Sequence, residues 1–583
     1  MRLRTLVATP VAVLGSLALA GSLVTAGPAG SAAADDFSKP DRGFAPPNTV
    51  LSDASPASLA LDPDPIAESV AQVHAHEQAP AGGHPLFAGA VGIMGHEGRI
   101  VERDASGWAL RYADATTELP RDQWEPMRTD TVFDLASVSK LFTSIAVVQL
   151  IEEGRVSLES PVAAYLPEFA ANGKAGVTVR QLLTHTSGFT SWLPLWSKWP
   201  DKATRLKAVM DQPLTSPPGS TYLYSDLNLI TLGVMVERLR GAPLDTVVHD
   251  RITAPLGMTD TGYNPTDKAR TAATEYQAAP PRGMVRGEVH DENAWSLGGV
   301  AGHAGVFSTA DDLAVLSQAL LNGGTYEGHR ILRRKSVEQL VTNFNGDFPG
   351  DSHGLGFELD QRWYMDALSG PRTAGHTGYT GTSIVIDFTS RSFAILLTNR
   401  VHPSRSWGSI NVARREWAHG LAASMGIRTR HGDTAWFTGS ENTATTTLTT
   451  PTLSVGTRGA RLGFDLFLDT EETDRLHLER STDGGATWSA VPFEVVDRGE
   501  TESADGVVSG SGTRRWVQVR ADLAAGAQQL RWRHTTDGGY LGRGVAVDDV
   551  LVNGPGGILL DGESTPGAFT ADGWRLQGRD AVA

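Results

Sequence analysis

An apolar run rich in Ala, Val and Leu extends from about Leu6 to Ala26, and no later stretch reaches the roughly 18 apolar residues that a spanning helix needs. A basic start, Met1-Arg2-Leu3-Arg4, precedes the run, and Ser31-Ala32-Ala33-Ala34 follows it just before Asp35-Asp36. This three-part pattern predicts a secretory signal peptide over 1–34. A membrane anchor fits less well, because Pro10 and several glycines break the run and Ala-x-Ala cleavage sites end it. The mature chain is then expected to be secreted, with no membrane span. Residues 35–63 are rich in Pro, Ala, Ser and Asp without a sustained period and read as a flexible leader.

From 64 to 432 helical and strand periods alternate. Phe142–Ile151 carries apolar positions at helical spacing and stops at Glu153-Gly154, and Leu227–Val236 reads as a second apolar helix. The short runs Thr382–Asp387 and Phe393–Thr398, joined by a polar turn, predict an antiparallel strand pair. Helical segments between strands at both ends predict an α/β arrangement around an antiparallel sheet. Over 433–583 the texture changes to strand-length alternations, such as Arg461–Leu468, Arg515–Arg520 and Gln529–His534. Turn signals Asp483-Gly484-Gly485 and Asp537-Gly538-Gly539 separate such runs, so an all-β sandwich is expected there.

Composition narrows the chemistry. The 583 residues contain 40 % hydrophobic and 20 % charged positions, which is globular rather than disordered. No cysteine is present, which excludes disulfides, thiol nucleophiles and Cys-based zinc sites. Fifty Lys plus Arg against 66 Asp plus Glu give a net charge of −16, and nucleic-acid binding needs the opposite footprint.

Three short strings could carry catalysis. In Ser137-Val138-Ser139-Lys140 a serine at a helix N-terminus is followed one turn later by a lysine whose amine can reach the hydroxyl. That suits a nucleophile with an adjacent base, although an N-cap serine alone is common. In Tyr224-Ser225-Asp226 a phenol near a lysine can serve as a general base, while Ser225 or Asp226 can equally cap the following helix. In Gly375-His376-Thr377-Gly378-Tyr379 glycines let a substrate approach a strand edge, and the N–H after Gly378 can serve an oxyanion.

Taken in this order, the three strings resemble the serine β-lactamase and penicillin-binding superfamily, specifically its class C-related branch. Leu182-Leu183-Thr184-His185-Thr186-Ser187-Gly188 and Gly302-His303-Ala304-Gly305 resemble recurrent segments of that branch. Gly287-Glu288-Val289-His290-Asp291-Glu292 resembles penicillin-binding protein 4B-like DD-carboxypeptidases. The resemblance implies a β-lactamase/transpeptidase-like fold, an antiparallel sheet flanked by helices with a helical subdomain. It implies that Ser137 forms an acyl-enzyme with a small peptide, amide or ester substrate, that Lys140 and Tyr224 move the protons, and that the amides of Ser137 and Tyr379 form the oxyanion hole. Asp226, His376, Thr377 and Gly378 would contact substrate. No metal or cofactor is implied, and His290, Asp291 and Glu292 lack the spacing of a standard zinc site.

Two departures bear on substrate. His376 stands where β-lactamases usually carry lysine, and Asp226 where asparagine is usual. Neutral imidazole grips a carboxylate less firmly, and Asp226 would hold Lys140 protonated and shift base duty toward Tyr224. The resemblance therefore points to a DD-carboxypeptidase-like enzyme or an esterase more than to an efficient β-lactamase. A non-catalytic cell-wall binder is the rival from another class. Trp192, Trp196 and Trp199 read either as an apolar wall for substrate or as a packed loop, and His74 and His76 as solvated.

Ser481-Thr482-Asp483-Gly484-Gly485 and Val547-Asp548-Asp549-Val550 resemble jelly-roll domains of the MAM and immune inhibitor A groups. That resemblance implies cell-wall, glycan or protein contact, in some cases with calcium. Asp469, Glu472 and Asp548 offer suitable hard oxygens, or they simply cap turns and solvate a surface.

Overall fold

A computed structural model describes residues 43–425, 427, 429–439 and 442–578, so the expected signal peptide lies outside it. The described chain forms two compact units, one ending at Met425 and the other beginning beyond it.

In the first unit eight strands make one sheet. They are β1 (Ser52–Asp53), β2 (Gly89–His96), β3 (Arg99–Leu110), β4 (Glu125–Pro126), β5 (Glu358–Leu359), β6 (Thr373–Thr377), β7 (Thr382–Asp387) and β8 (Ser392–Thr398). Their order is β1-β3-β2-β8-β7-β6-β5, with β4 on β3. Every pairing is antiparallel except β1 with β3. The β7–β8 pair predicted from sequence places Ile384 opposite Ile395.

Both faces of this sheet are buried, which is why the middles of β7 (Ile384 to Ile386) and β8 (Phe393 to Leu397) are apolar without alternation. Helices α1 (Pro63–Ala75), α2 (Ser139–Glu152), α3 (Asp226–Arg240), α4 (Ala310–Leu321) and α5 (Asn411–Ser424) divide between the two faces. Ala90, Met94, Val385 and Leu396 join α1 and α5 in one core, centred on Trp417. Val91, Ile93, Ile384 and Ile395 join α2, α3 and α4 in the other. Gly92 is what lets the indole lie on the sheet, since a Cβ there would sit 2.2 Å from the Trp417 ring. Helix α2 is buried on all sides from Ser139 to Leu150 and is a core helix rather than an amphipathic one.

Two expectations change. Residues 43–63 are not a flexible leader: Phe44, Ala45 and Leu61 are buried, and β1 adds to the sheet edge. A two-residue strand and three apolar anchors require no periodicity, so the pattern could not show them. His74 and His76 are paired instead of simply solvated, with Nε2 atoms 2.8 Å from Asp104 and 2.6 Å from Glu416.

The second unit is all-β. One antiparallel sheet has Ala460–Asp469 between Ser511–Leu523 and Gly544–Gly554. A second has Gly526–Thr535 between Arg475–Ser481 and Thr445–Thr449. Phe464, Leu466 and Val547 from the first share a core with Leu448, Leu478 and Trp532 from the second. The Asp483 motif forms a turn, with its Oδ1 accepting from Ser481 Oγ at 2.7 Å and from the Thr487 amide at 2.9 Å. Asp548 accepts the amides of Arg430 and His431 at 2.7 and 2.9 Å. Asp469, Glu472 and Asp548 do not converge. The groups that do are His431, Asp465 and Asp549, and Glu471, Asp474 and Asp537.

Candidate active site

Ser137 sits in a short 3-10 turn, Ala136–Val138, that leads directly into α2. The preceding Ala136 has a φ of 46°, a conformation costly for alanine. Asp134 supports it by accepting the Ala136 amide at 2.9 Å. One turn on, the Lys140 ammonium donates to Ser137 Oγ at 2.9 Å and to the His303 carbonyl at 3.0 Å, and it pairs with Asp226 Oδ1 at 2.9 Å. Its three N–H donors are thus all spent. Burial opposes the charge of this 1 %-exposed amine, but the Asp226 carboxylate and Tyr224 outweigh it and hold the pKa above the ordinary lysine value. Lys140 rests as an ammonium.

Tyr224 precedes the N-cap of α3. Ser225 fills the cap, accepting the Leu227 amide at 3.2 Å and donating to the Thr190 carbonyl at 2.6 Å, so capping and catalytic readings of this string coexist. Lys140 Nζ lies 4.9 Å from the centre of the Tyr224 ring. Burial pushes the phenol up to about 12, and the Lys140 charge only partly offsets that. The tyrosine is positioned by His185, whose Nδ1 accepts from the Ser225 amide and Asn228 Nδ2, both at 3.1 Å, and whose ring centre is 4.6 Å from that of Tyr224. The Leu182–Gly188 string thus has a physical role that its sequence did not disclose.

The turn from β6 to β7 is stitched to the segment before the nucleophile. Thr380 Oγ1 donates to the Asp134 carbonyl at 2.7 Å, and Thr382 Oγ1 to the Leu135 carbonyl at 3.0 Å. Arg414 clamps the turn from α5, donating to the carbonyls of Gly378 at 2.7 Å and Thr382 at 3.0 Å. Among the described residues, the amides of Ser137 and Tyr379 donate to no other protein group. Two unspent N–H groups at a nucleophile form a ready oxyanion hole. Gly378 is required there: a Cβ would fall 2.3 Å from the Leu135 carbonyl oxygen and 2.1 Å from Thr382 Oγ1. Gly378→Ala is expected to shift the Tyr379 amide and lower kcat by about 100-fold or more, with substrate affinity less affected. Steady-state kinetics on a short-chain ester checks this.

His376 carries no charge. Burial pushes its imidazole down to about 3, with the Lys140 charge acting the same way. Its Nδ1 is 2.7 Å from the Thr377 carbonyl, which can only accept, so the proton is on Nδ1. Nε2 is buried with no partner.

A cavity of about 450 Å³ opens over these groups, lined by Ser137, Tyr224, His376, Thr377, Gly378 and Tyr379. Lys140 and Asp226 lie behind that lining. Trp192, Trp196 and Trp199 do not line it. Trp363 and Tyr222 do, while Trp192 is 44 % exposed and Trp199 packs on the core. Arg400 lines the cavity next to the oxyanion turn, its guanidinium 5.0 Å from the Tyr379 ring centre.

The His290–Glu292 string supports the site from outside. The His290 amide donates to Asp134 Oδ2 at 2.6 Å, and its ring stacks on Tyr379 at 5.8 Å. Glu292 pairs with Arg405. Asp291 accepts from the Ala294 amide at 2.7 Å and bonds His303 Nε2 at 2.9 Å. Asp226, Asp291 and His303 bring ligand atoms within 4.8 Å of one another, a spacing that a metal could use, but Lys140 is the cation at Asp226.

A family model described as Beta-lactamase matches residues 83–418. A protein of Escherichia coli (strain K12) named "Putative D-alanyl-D-alanine carboxypeptidase" is 34 % identical over 343 residues, which are 52 % of this chain and 77 % of that one. Two solved structures are also similar to part of this chain. A penicillin-binding protein homologue from Caulobacter crescentus is 23 % identical with a TM-score of 0.48, covering 63 % of this chain and 99 % of its own. A family VIII carboxylesterase is 21 % identical with a TM-score of 0.48, covering 62 % and 97 %.

Proposed function

The chain belongs to the beta-lactamase family, and from that premise we propose that it is a secreted serine hydrolase of the class C-related branch that works through an acyl-enzyme on D-alanyl-D-alanine-type peptides. The observation that carries this reading is the Ser137 hydroxyl, 2.9 Å from a buried lysine and flanked by two unspent amides.

In this mechanism Ser137 Oγ attacks the scissile carbonyl, and the developing oxyanion takes the N–H groups of Ser137 and Tyr379. Lys140 enters as a donor to Ser137 Oγ, so the departing serine proton goes to the Tyr224 oxygen. The reactive form has lost one proton from the Lys140–Tyr224 pair, which titrates as a unit. Tyr224 next passes the proton to the leaving amine. Water then attacks the ester, its proton returning by the same route to Ser137. Arg400 supplies the positive charge that His376 lacks and faces the carboxylate of the leaving residue.

The Asp226 carboxylate raises both Lys140 and Tyr224. Replacing it with a neutral amide lowers both, so the deprotonated pair forms at lower pH. Asp226→Asn is expected to move the ascending limb of the kcat/KM–pH profile toward neutrality by about 1–3 units. An unmoved or more alkaline limb would remove Asp226 from this role.

Carboxylester hydrolysis is the second reading, favoured by the uncharged His376, since an ester needs no carboxylate grip. The deciding experiment compares release of D-alanine from an acyl-D-Ala-D-Ala peptide with hydrolysis of p-nitrophenyl butyrate. Faster turnover of the peptide supports the carboxypeptidase reading, and ester turnover alone refutes it. The second unit we read as a jelly-roll accessory module for cell-wall or glycan contact.

A further inference from the structure

The two amides of the oxyanion hole differ, because the carbonyls of their own peptides are engaged differently. The Ser137 N–H belongs to a peptide whose Ala136 carbonyl accepts the Ser139 amide. The Tyr379 N–H belongs to a peptide whose Gly378 carbonyl accepts the Gly381 amide at 3.0 Å and also the Arg414 guanidinium at 2.7 Å. A donor on the oxygen of a peptide draws electrons from its nitrogen. The N–H at the other end then becomes a better donor, by roughly 10–30 % per bond in a hydrogen-bonded chain. An ionised donor does this about twice as strongly as a neutral one.

Arg414 is only 7 % exposed, and among the described residues it forms no ion pair. Buried charges are ordinarily paired. Here both protons of Nη2 go to carbonyls instead, those of Gly378 and Thr382, and Nη1 donates to Asn411 Oδ1 at 2.9 Å. The Thr382 carbonyl also accepts the Gly378 amide at 2.8 Å, so one nitrogen grips both sides of the turn. Burial and the Arg400 charge bring the guanidinium down to about 10, with Glu358 and Tyr364 acting the other way. It remains a cation at neutral pH. Glu358 is a weak counter-charge, because burial pushes it up to about 7 and it shares a hydrogen bond with Tyr364.

We propose that Arg414 is a positioning residue for acyl transfer that acts through the Gly378–Tyr379 peptide, its buried positive charge making the Tyr379 N–H the stronger half of the oxyanion hole. This rests on the acyl-enzyme reading above. The charge serves the transition state more than the bound substrate, because negative charge on the carbonyl oxygen develops only as Ser137 attacks.

The test separates the charge from the brace. Arg414→Gln keeps a neutral donor for the turn, and Arg414→Lys keeps the cation. With p-nitrophenyl butyrate, Arg414→Gln is expected to lower kcat about tenfold or more while KM changes by less than about threefold. Arg414→Lys should recover most of that loss. The second readout is the infrared stretch of the acyl carbonyl, taken as the difference between unlabelled and carbonyl-13C-labelled p-nitrophenyl trimethylacetate after each acylates Ser137 and releases p-nitrophenolate. Stronger hydrogen bonds weaken the C=O bond, so the band should rise in wavenumber in Arg414→Gln and stay near its wild-type position in Arg414→Lys.

A band that does not move in Arg414→Gln, or equal losses of kcat in both variants, would overturn the proposal and leave Arg414 a brace alone. Where thermal denaturation shows Arg414→Gln unfolded, Arg414→Lys decides by its band. The wild-type position sustains the proposal, and the position found for the acylated protein in denaturant refutes it. No adduct on Ser137 of the wild type from either ester would sink the acyl-enzyme reading itself, and this proposal with it.

Discussion

Ser137→Ala is expected to lower kcat by about 10,000-fold or more while leaving a folded protein. The methyl group fits where the hydroxyl was, and apart from the bonds of Lys140 and Tyr224 to Oγ the contacts that shape the site do not pass through it. Asp134 still holds the Ala136 amide, and Thr380 and Thr382 still tie the oxyanion turn to residues 134 and 135. The variant also leaves one Lys140 N–H without its acceptor, which costs about 1–3 kcal/mol of stability. Residual activity would come from the two amides and substrate binding alone. Single-turnover kinetics with p-nitrophenyl butyrate, alongside thermal denaturation, checks both halves of this expectation. Activity within tenfold of wild type would mean that another group is the nucleophile.

Lys140→Ala should have the second largest effect, lowering the acylation rate by about 100- to 10,000-fold. Its cost in stability should be higher than that of the serine variant. Removing the ammonium leaves the Asp226 carboxylate unpaired beside Asp291, and breaking a buried pair costs about 3–5 kcal/mol. The double variant Lys140→Met/Asp226→Asn separates the two roles. It removes both charges and fills the space, so much of the stability should return while acylation stays lost. Acylation at the wild-type rate in either variant would leave Tyr224 as a sufficient base on its own.

The parts of this site that were legible in the sequence share one property: their spacing is local. Ser137 and Lys140 are three residues apart on one helix, and Thr377, Gly378 and Tyr379 lie together at a strand end, so short strings carry them. Ser225 as the cap of α3 was legible for the same reason. What could not be read depends on distant segments meeting. His185 supports Tyr224 from 39 positions away in the numbering. The His303 carbonyl accepts a hydrogen bond from Lys140 across a separation of 163. Arg414 reaches the oxyanion turn from a helix beyond two further strands. Glu358 comes to the cavity only because β5 pairs with β6. Fold legibility divides likewise. The β7–β8 hairpin was visible, but the meeting of β2 with β8 at the centre of the sheet joins chain segments some 300 residues apart, and no local period encodes it. The tryptophan-rich loop stayed open between a substrate wall and a packed loop, because aromatic content alone does not say which way a loop folds.

The central claim is that Ser137 becomes acylated. Intact-protein mass spectrometry, after the purified protein is mixed with a fluorescent penicillin and, separately, with p-nitrophenyl butyrate, measures this most directly. One covalent equivalent, mapped to Ser137 by peptide digestion and missing from Ser137→Ala, is the predicted result. Ester or peptide turnover without any adduct on Ser137, or an adduct that persists in Ser137→Ala, would contradict it.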